Sequence, residues 1–512
     1  MIGPDSDVKS MTQSRLFERI SNQMTTFIRI IVALGLLLAS DIATAQSETP
    51  QRIDLGTRRE LFVDHFLIER LEGAELKLQP LQPTLPSSEP AMGGHYATVL
   101  RDGNLFRQYC RFDRDKDAHW RNGWEEYHLG EMTLYADSKD GVHWNRPNLG
   151  LFQEARFPEG NVVVAGEMLV NHNFTPMIDA RPGVPAAERY KALGGLHYPP
   201  KNWGYWPEPD SRAKLREKYG SAGLYAYVSA DGIRWKRLME KAVIPEDWGS
   251  FDSQNVSFWS EAEGQYVCYF RVMDSGYRAV ARTTSEDFLQ WSKPVLMKGR
   301  LEKEHLYTSG THPYLRAPHI YIAPATRFLP GEDPNTRVIL MTTRAGSDTY
   351  DRTFGQQQWL ADPAVGNRTN YIAYTNGALT GPRELSFYCL GTRYTIRMDG
   401  FGSICAREEV GQVVTKPFTF DGAWLSLNYR TRDSGELRVE VQTAEGQPID
   451  GLTLDDCKPL SGDEIDGAVQ WRSDKGLNSL AGRQVRLRIA LKDADLYALR
   501  FVADRMISAN PK

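Results

Sequence analysis

An all-β chain, a five-bladed β-propeller followed by a C-terminal β-sandwich, is what three features of the sequence predict. A short turn motif recurs five times, a strand-like run precedes each copy, and after residue 407 apolar and polar residues alternate without the motif. The copies begin at Ser138, Ser229, Ser285, Thr343 and Arg397, so their starts lie 91, 56, 58 and 54 residues apart. A recurrence of this size signals units that stack or radiate because each is too small to bury its own apolar face. Strands carrying a turn at that spacing point to propeller blades, one per copy.

Three copies are complete: Ser138–Trp144, Ser229–Trp235 and Ser285–Trp291 all read S-x-D-x-x-x-W. Thr343–Gly346 and Arg397–Phe401 are degenerate. Asp bonds nearby backbone N–H groups, Gly accepts positive φ, and the Ser hydroxyl bonds across the same turn. The Asp residues of the motif are therefore expected to hold turns and to carry no chemistry.

The elements follow in order. Residues 1–45 are an N-terminal extension and signal peptide: Met24–Arg29 leads into an apolar run, Ile30–Ala39, and an A-x-A site at Ala43–Ala45. That run is too short to span a bilayer. The mature chain is expected to start near Gln46, to be secreted or periplasmic, and to contain no integral membrane segment. Residues 46–407 form the propeller, with an entry segment over 46–94 that includes the proline-rich stretch Gln79–Pro86. The long first interval, 91 residues, marks an insertion in the second unit at 197–223. It holds Trp203, Trp206 and a short helix expected between Asp210 and Gly220, and it is a candidate lid or sugar platform. Residues 408–512 form the sandwich, in which Leu425, Leu427 and Tyr429 are expected on a buried face and Trp424 on the face turned to the propeller.

Composition is that of an ordinary globular protein: 512 residues, 41% hydrophobic, 11% aromatic, net charge −4. That balance predicts no nucleic-acid partner. The five cysteines are sparse and include no C-x-x-C, so they indicate neither a disulfide framework nor a zinc site.

The S-x-D-x-x-x-W motif resembles the Asp box of sialidases. The motif, the blade count and the trailing sandwich together resemble the five-bladed propeller glycosidases of glycoside hydrolase families 32 and 43. Longer strings, Leu61–Glu69, His172–Pro176, Phe251–Val256, Glu304–Tyr307, Ala317–Ile320 and Asp493–Tyr497, resemble a set of secreted bacterial proteins labelled glycoside-hydrolase-like. The resemblance implies a carbohydrate substrate. The W-x-N-D-P-N-G, R-D-P and E-C motifs of family 32 are absent from the sequence, so the site must be found by position.

Inner strands of a propeller line a central tunnel, and the polar residues ahead of them are the ones to weigh. They are Glu89 and His95, His172 and Asn173, Asp252 and Asn255, Glu304 and His312, and Arg368 and Asn370. Glycoside hydrolysis needs two carboxyl groups, one protonated and one ionised. The expected pairing makes Asp252 the base or transition-state stabiliser and Glu304 the proton donor, with Glu89 as the third acid. The remaining residues, with Trp203 and Trp206, are expected to contact sugar. No spacing such as H-x-x-x-H marks a metal site among the histidines, and no cofactor is expected. A carbohydrate-binding protein without catalysis, or a sialidase-like hydrolase, are the rival readings.

Overall fold

The computed structural model describes residues 52–113, 124–198, 211–331, 333–361, 374–375, 379–473 and 476–503. Five antiparallel sheets form the blades of a propeller, and a ten-stranded sheet forms the remainder. The first blade runs through His95–Asp102, Leu105–Asp113, Glu131–Ser138 and Val162–Val164, and Tyr374–Thr375 adds in parallel to its inner edge. The second spans Thr175–Pro245, the third Val256–Leu296 and the fourth His305–Leu360. The fifth has three strands from Leu379 to Arg397, and its last strand comes from the entry segment, where Gln82 and Pro83 pair with Thr395 and Tyr394. The ring is thus closed by chain from its own beginning, which removes an open sheet edge.

Two strands of the second blade are buried on both faces. All seven residues of Tyr190–Leu196 and of Gly223–Ser229 are inaccessible because each blade packs between two others. Gly195 belongs to this economy of space: a Cβ there would lie 1.8 Å from the Gly223 carbonyl oxygen.

The three complete motif copies close identical turns. Asp140 accepts hydrogen bonds from the backbone N–H groups of Val142 and His143, Asp231 from Ile233 and Arg234, and Asp287 from Leu289 and Gln290. Tyrosines of neighbouring blades then staple two of them: Tyr388 donates to the Gly141 carbonyl at 2.7 Å and Tyr109 to that of Gly232 at 2.9 Å. Phe288 holds φ of 70° where the other copies have glycine. In the fifth copy Asp399 does something different. It is fully buried and binds Arg59, Arg316, Tyr314 and Asn428.

The large sheet is built on two long partners, Trp424–Thr443 and Val485–Val502. Entry strands Arg59–Leu61, Ile68–Glu72 and Glu75–Leu78 pair into it, as do Gly402–Ala406 and Gly411–Thr415. The segment expected over 46–94 therefore contributes to this sheet and to the fifth blade. Leu425, Leu427 and Tyr429 are buried as expected, but Ser426 and Asn428 on the opposite face are buried too. Asn428 makes the propeller contact, donating to the Met398 carbonyl and accepting from Arg397, while Trp424 lines a groove with Val469 and Trp471. All five cysteines are buried and free.

Candidate active site

The sequence places an arginine two residues after a tyrosine on the second strands of the first and third blades, Tyr109–Arg111 and Tyr269–Arg271. Both arginines are buried, and both point their charge at the same cluster. Arg271 Nη2 lies 2.8 Å from Asp252 Oδ2. Asp252 Oδ1 receives His172 Nε2 at 2.7 Å and the Tyr96 hydroxyl at 3.3 Å. The other ring nitrogen of His172 lies 2.7 Å from Glu131 Oε1, and Glu131 Oε2 lies 2.6 Å from His128 Nδ1. Arg111 approaches Glu131 at 3.2 Å and donates to His95 Nδ1 at 2.8 Å.

Charge in this cluster is internally consistent. Burial disfavours the His172 imidazolium, but Glu131 and Asp252, one on each nitrogen, outweigh it and hold the ring's pKa above its usual value. Arg111 Nη1 lies 2.7 Å from His172 Nδ1 and 3.2 Å from Glu131 Oε1, so its charge opposes the imidazolium that the two carboxylates favour. Burial also opposes the charge of Asp252, yet Arg271 and His172 keep its carboxyl well below the usual carboxylate range. Glu131 is likewise held ionised against burial by His172, His128 and Arg111. Burial dominates at His128 and lowers its pKa.

Exposure separates the two carboxylates. Glu131 is sealed, whereas the Asp252 side chain retains 36% of its accessible surface and is the acid of the cluster that meets solvent. Asp113 stands opposite Glu131 in the strand register. Burial and the Glu131 charge raise its pKa against Arg111, and its buried Oδ1 has no hydrogen-bond partner among the described residues. The surroundings thus push Asp252 down and Asp113 up.

The expected residues are only partly brought together. His95, His172 and Asp252 meet, joined through Arg111 and His172. Glu304 is fully buried and gripped at both oxygens by Arg352, at 2.9 and 3.0 Å, with Leu301 N–H on Oε2. Glu89 is exposed beside the first motif turn, its carbonyl accepting Trp144 N–H. Asn173 and Asn255 hold backbone: each donates to the carbonyls of Phe251 and Ser253. His312 is buried, donates to the Gly310 carbonyl at 2.6 Å, and burial lowers its pKa to about 4. His319 binds Glu60, and Asp64 binds Arg344. Trp203, Trp206, Arg368 and Asn370 lie outside the described residues.

Arg111, Glu131, Arg271 and Asp113 went unseen in sequence because they sit within strands and not ahead of them. The repeated Tyr-x-Arg was the available signal. His128, Glu131 and His172 place one ligand atom each within 4.8 Å of one another, as a cation would need. Arg111 also lies against Glu131 and the His172 ring and supplies positive charge at that point.

No protein-family model and no curated protein matches the chain. Solved structures that resemble it include glycoside hydrolases. A family 43 arabinoxylan arabinofuranohydrolase from Bacillus subtilis is 10% identical, covering 81% of this chain and 96% of that one with a TM-score of 0.35. An exo-β-1,3-galactanase from Phanerochaete chrysosporium is 12% identical over 82% and 100%, with a TM-score of 0.36. A family 32 β-fructofuranosidase from Bombyx mori is 10% identical over 84% and 94%, with a TM-score of 0.35. The fold of this chain is a five-bladed β-propeller with an additional ten-stranded sheet.

Proposed function

We propose that this chain is a secreted glycoside-hydrolase-like enzyme acting on a glycosidic bond of a poly- or oligosaccharide. The observation that carries the reading is Asp252: an ionised, partly exposed carboxylate held in place by groups from the first, second and third blades. Such a group is suited to stabilise oxocarbenium charge or to activate water. Asp113, which stands opposite Glu131 and whose pKa burial and that charge raise, is assigned the proton-donor role expected earlier of Glu304. Glu304 is assigned to bracing the entry of the fourth blade through Arg352. Export by the Ile30–Ala45 leader completes the proposal.

The test is release of reducing sugar across a broad polysaccharide panel by wild type, Asp252→Asn and Asp113→Asn. Cleavage by wild type and its loss in both variants supports the assignment; full activity in Asp252→Asn defeats it. A second reading, a carbohydrate-binding protein without catalysis, is favoured by the Arg352 grip on Glu304. Glycan binding by a wild type that cleaves nothing would establish it.

A further inference from the structure

Arg278 opens the third-blade strand Tyr277–Ser285 and is half-buried beside the cluster. Several arginines that precede and follow it along the third and fourth blades hold carboxylates: Arg271 has Asp252, Arg282 has Glu263, Arg344 has Glu60 and Asp64, and Arg352 has Glu304. Arg278 has no carboxylate in ion-pair contact among the described residues. Its guanidinium lies 4.3 Å above the Tyr307 ring and 3.4 Å from His305 Nδ1, a nitrogen that already accepts the Arg278 backbone N–H at 3.1 Å. His305 supplies no negative charge, and Arg300 nearby is matched by Asp274 at 2.6 Å.

Asp252 is within electrostatic reach of Arg278 but is engaged by Arg271 and His172. Among the described residues around this point, Arg111 contacts Glu131 and Arg271 contacts Asp252, whereas Arg278 forms no ion pair with either acid. Burial and the Arg271 charge both work against the Arg278 cation. Keeping an unpaired guanidinium partly desolvated is costly unless an anion completes it. Partly exposed Tyr96, Tyr277 and Tyr307 surround it and offer ring faces to a sugar.

We infer that Arg278 is a specificity-determining residue that selects a sugar bearing an anionic substituent, a carboxylate or a sulfate, next to the unit held at Asp252. The inference rests on the reading of this cluster as a glycan site. A planar guanidinium fits either oxyanion with two parallel hydrogen bonds.

Isothermal titration tests it with three probes: an oligogalacturonate, the same oligomer with its carboxyls reduced to alcohols, and a sulfated galactan oligomer. Wild type is expected to bind one or both anionic probes roughly ten- to a hundredfold more tightly than the neutral one, as a charge-assisted hydrogen bond implies. Whichever anionic probe binds identifies carboxylate or sulfate. Arg278→Gln is expected to bring that ratio near one and Arg278→Lys to retain part of it, each checked by thermal melting. An unchanged ratio in Arg278→Gln, equal binding of charged and neutral probes by wild type, or binding of none overturns the inference. Reducing-sugar assays on the same probes keep the readings apart. Selective binding without cleavage removes the hydrolase and leaves Arg278's role standing, whereas cleavage without charge preference does the reverse.

Discussion

His172 and Asp252 are joined by a 2.7 Å hydrogen bond from Nε2 to Oδ1, and the opposite face of the same ring is held by Glu131. One imidazolium therefore ties a sealed carboxylate to one that meets solvent. Its charge depends on both, and so does the fixed orientation of Asp252.

Asp252→Asn should lower the rate of glycoside cleavage about 10²–10⁴-fold, since an amide cannot stabilise developing positive charge or accept a proton. The same change should lower the pKa of His172, because one of the two charges that raise it is gone. Imidazole NMR shifts across a pH titration would read this directly; an unmoved His172 titration would contradict the coupling.

Glu131→Gln should cost about 3–5 kcal/mol in denaturant unfolding, because Arg111 and His172 would be left buried with a neutral partner. The pH dependence has two signs. Asp252 and Glu131 have lowered folded pKa values, so their contribution is present above about pH 4 and is lost as pH falls. His172 has a raised one, so its contribution is full below about pH 6.5 and is lost as pH rises through the folded value. The stability advantage of wild type over His172→Gln should therefore peak between these limits. An advantage that keeps growing at alkaline pH would count against an imidazolium.

Glu304→Gln should lower stability by about 3 kcal/mol and shift the melting temperature down, because Arg352 loses its two-point carboxylate. If instead melting is unchanged while cleavage disappears, Glu304 is the proton donor and Asp113 is not.

Asp231→Asn and Tyr109→Phe should each cost about 1 kcal/mol by loss of turn and staple hydrogen bonds. Combined, they should fall short of or exceed additivity, since both act on one turn. Chemical denaturation of the two single variants and the double variant measures this.

Exported protein should begin near Gln46, and N-terminal sequencing of the secreted form is the check. A mature chain that retains Ile30–Ala39 would refute the leader.

The blade ring could be read from the chain because its cause is local. Each turn is closed by residues two and three positions from its Asp, so Ser138, Asp140 and Trp144 announce in sequence what they do in space. The sandwich strands were legible for the same reason, through alternation at Leu425, Leu427 and Tyr429. The candidate site was legible only at His95, His172 and Asp252, which stand ahead of blade strands. Tertiary structure decided the rest, because carboxylates acquire roles from neighbours far away in the chain. Glu304 became a partner of Arg352, 48 residues on, and Glu131 a partner of His172, 41 residues on. Asp399, written like a turn residue, became the buried anion between Arg59 and Arg316. In a low-dielectric interior the nearest opposite charge determines what an acid does, and that distance is set by blade packing and by no local pattern.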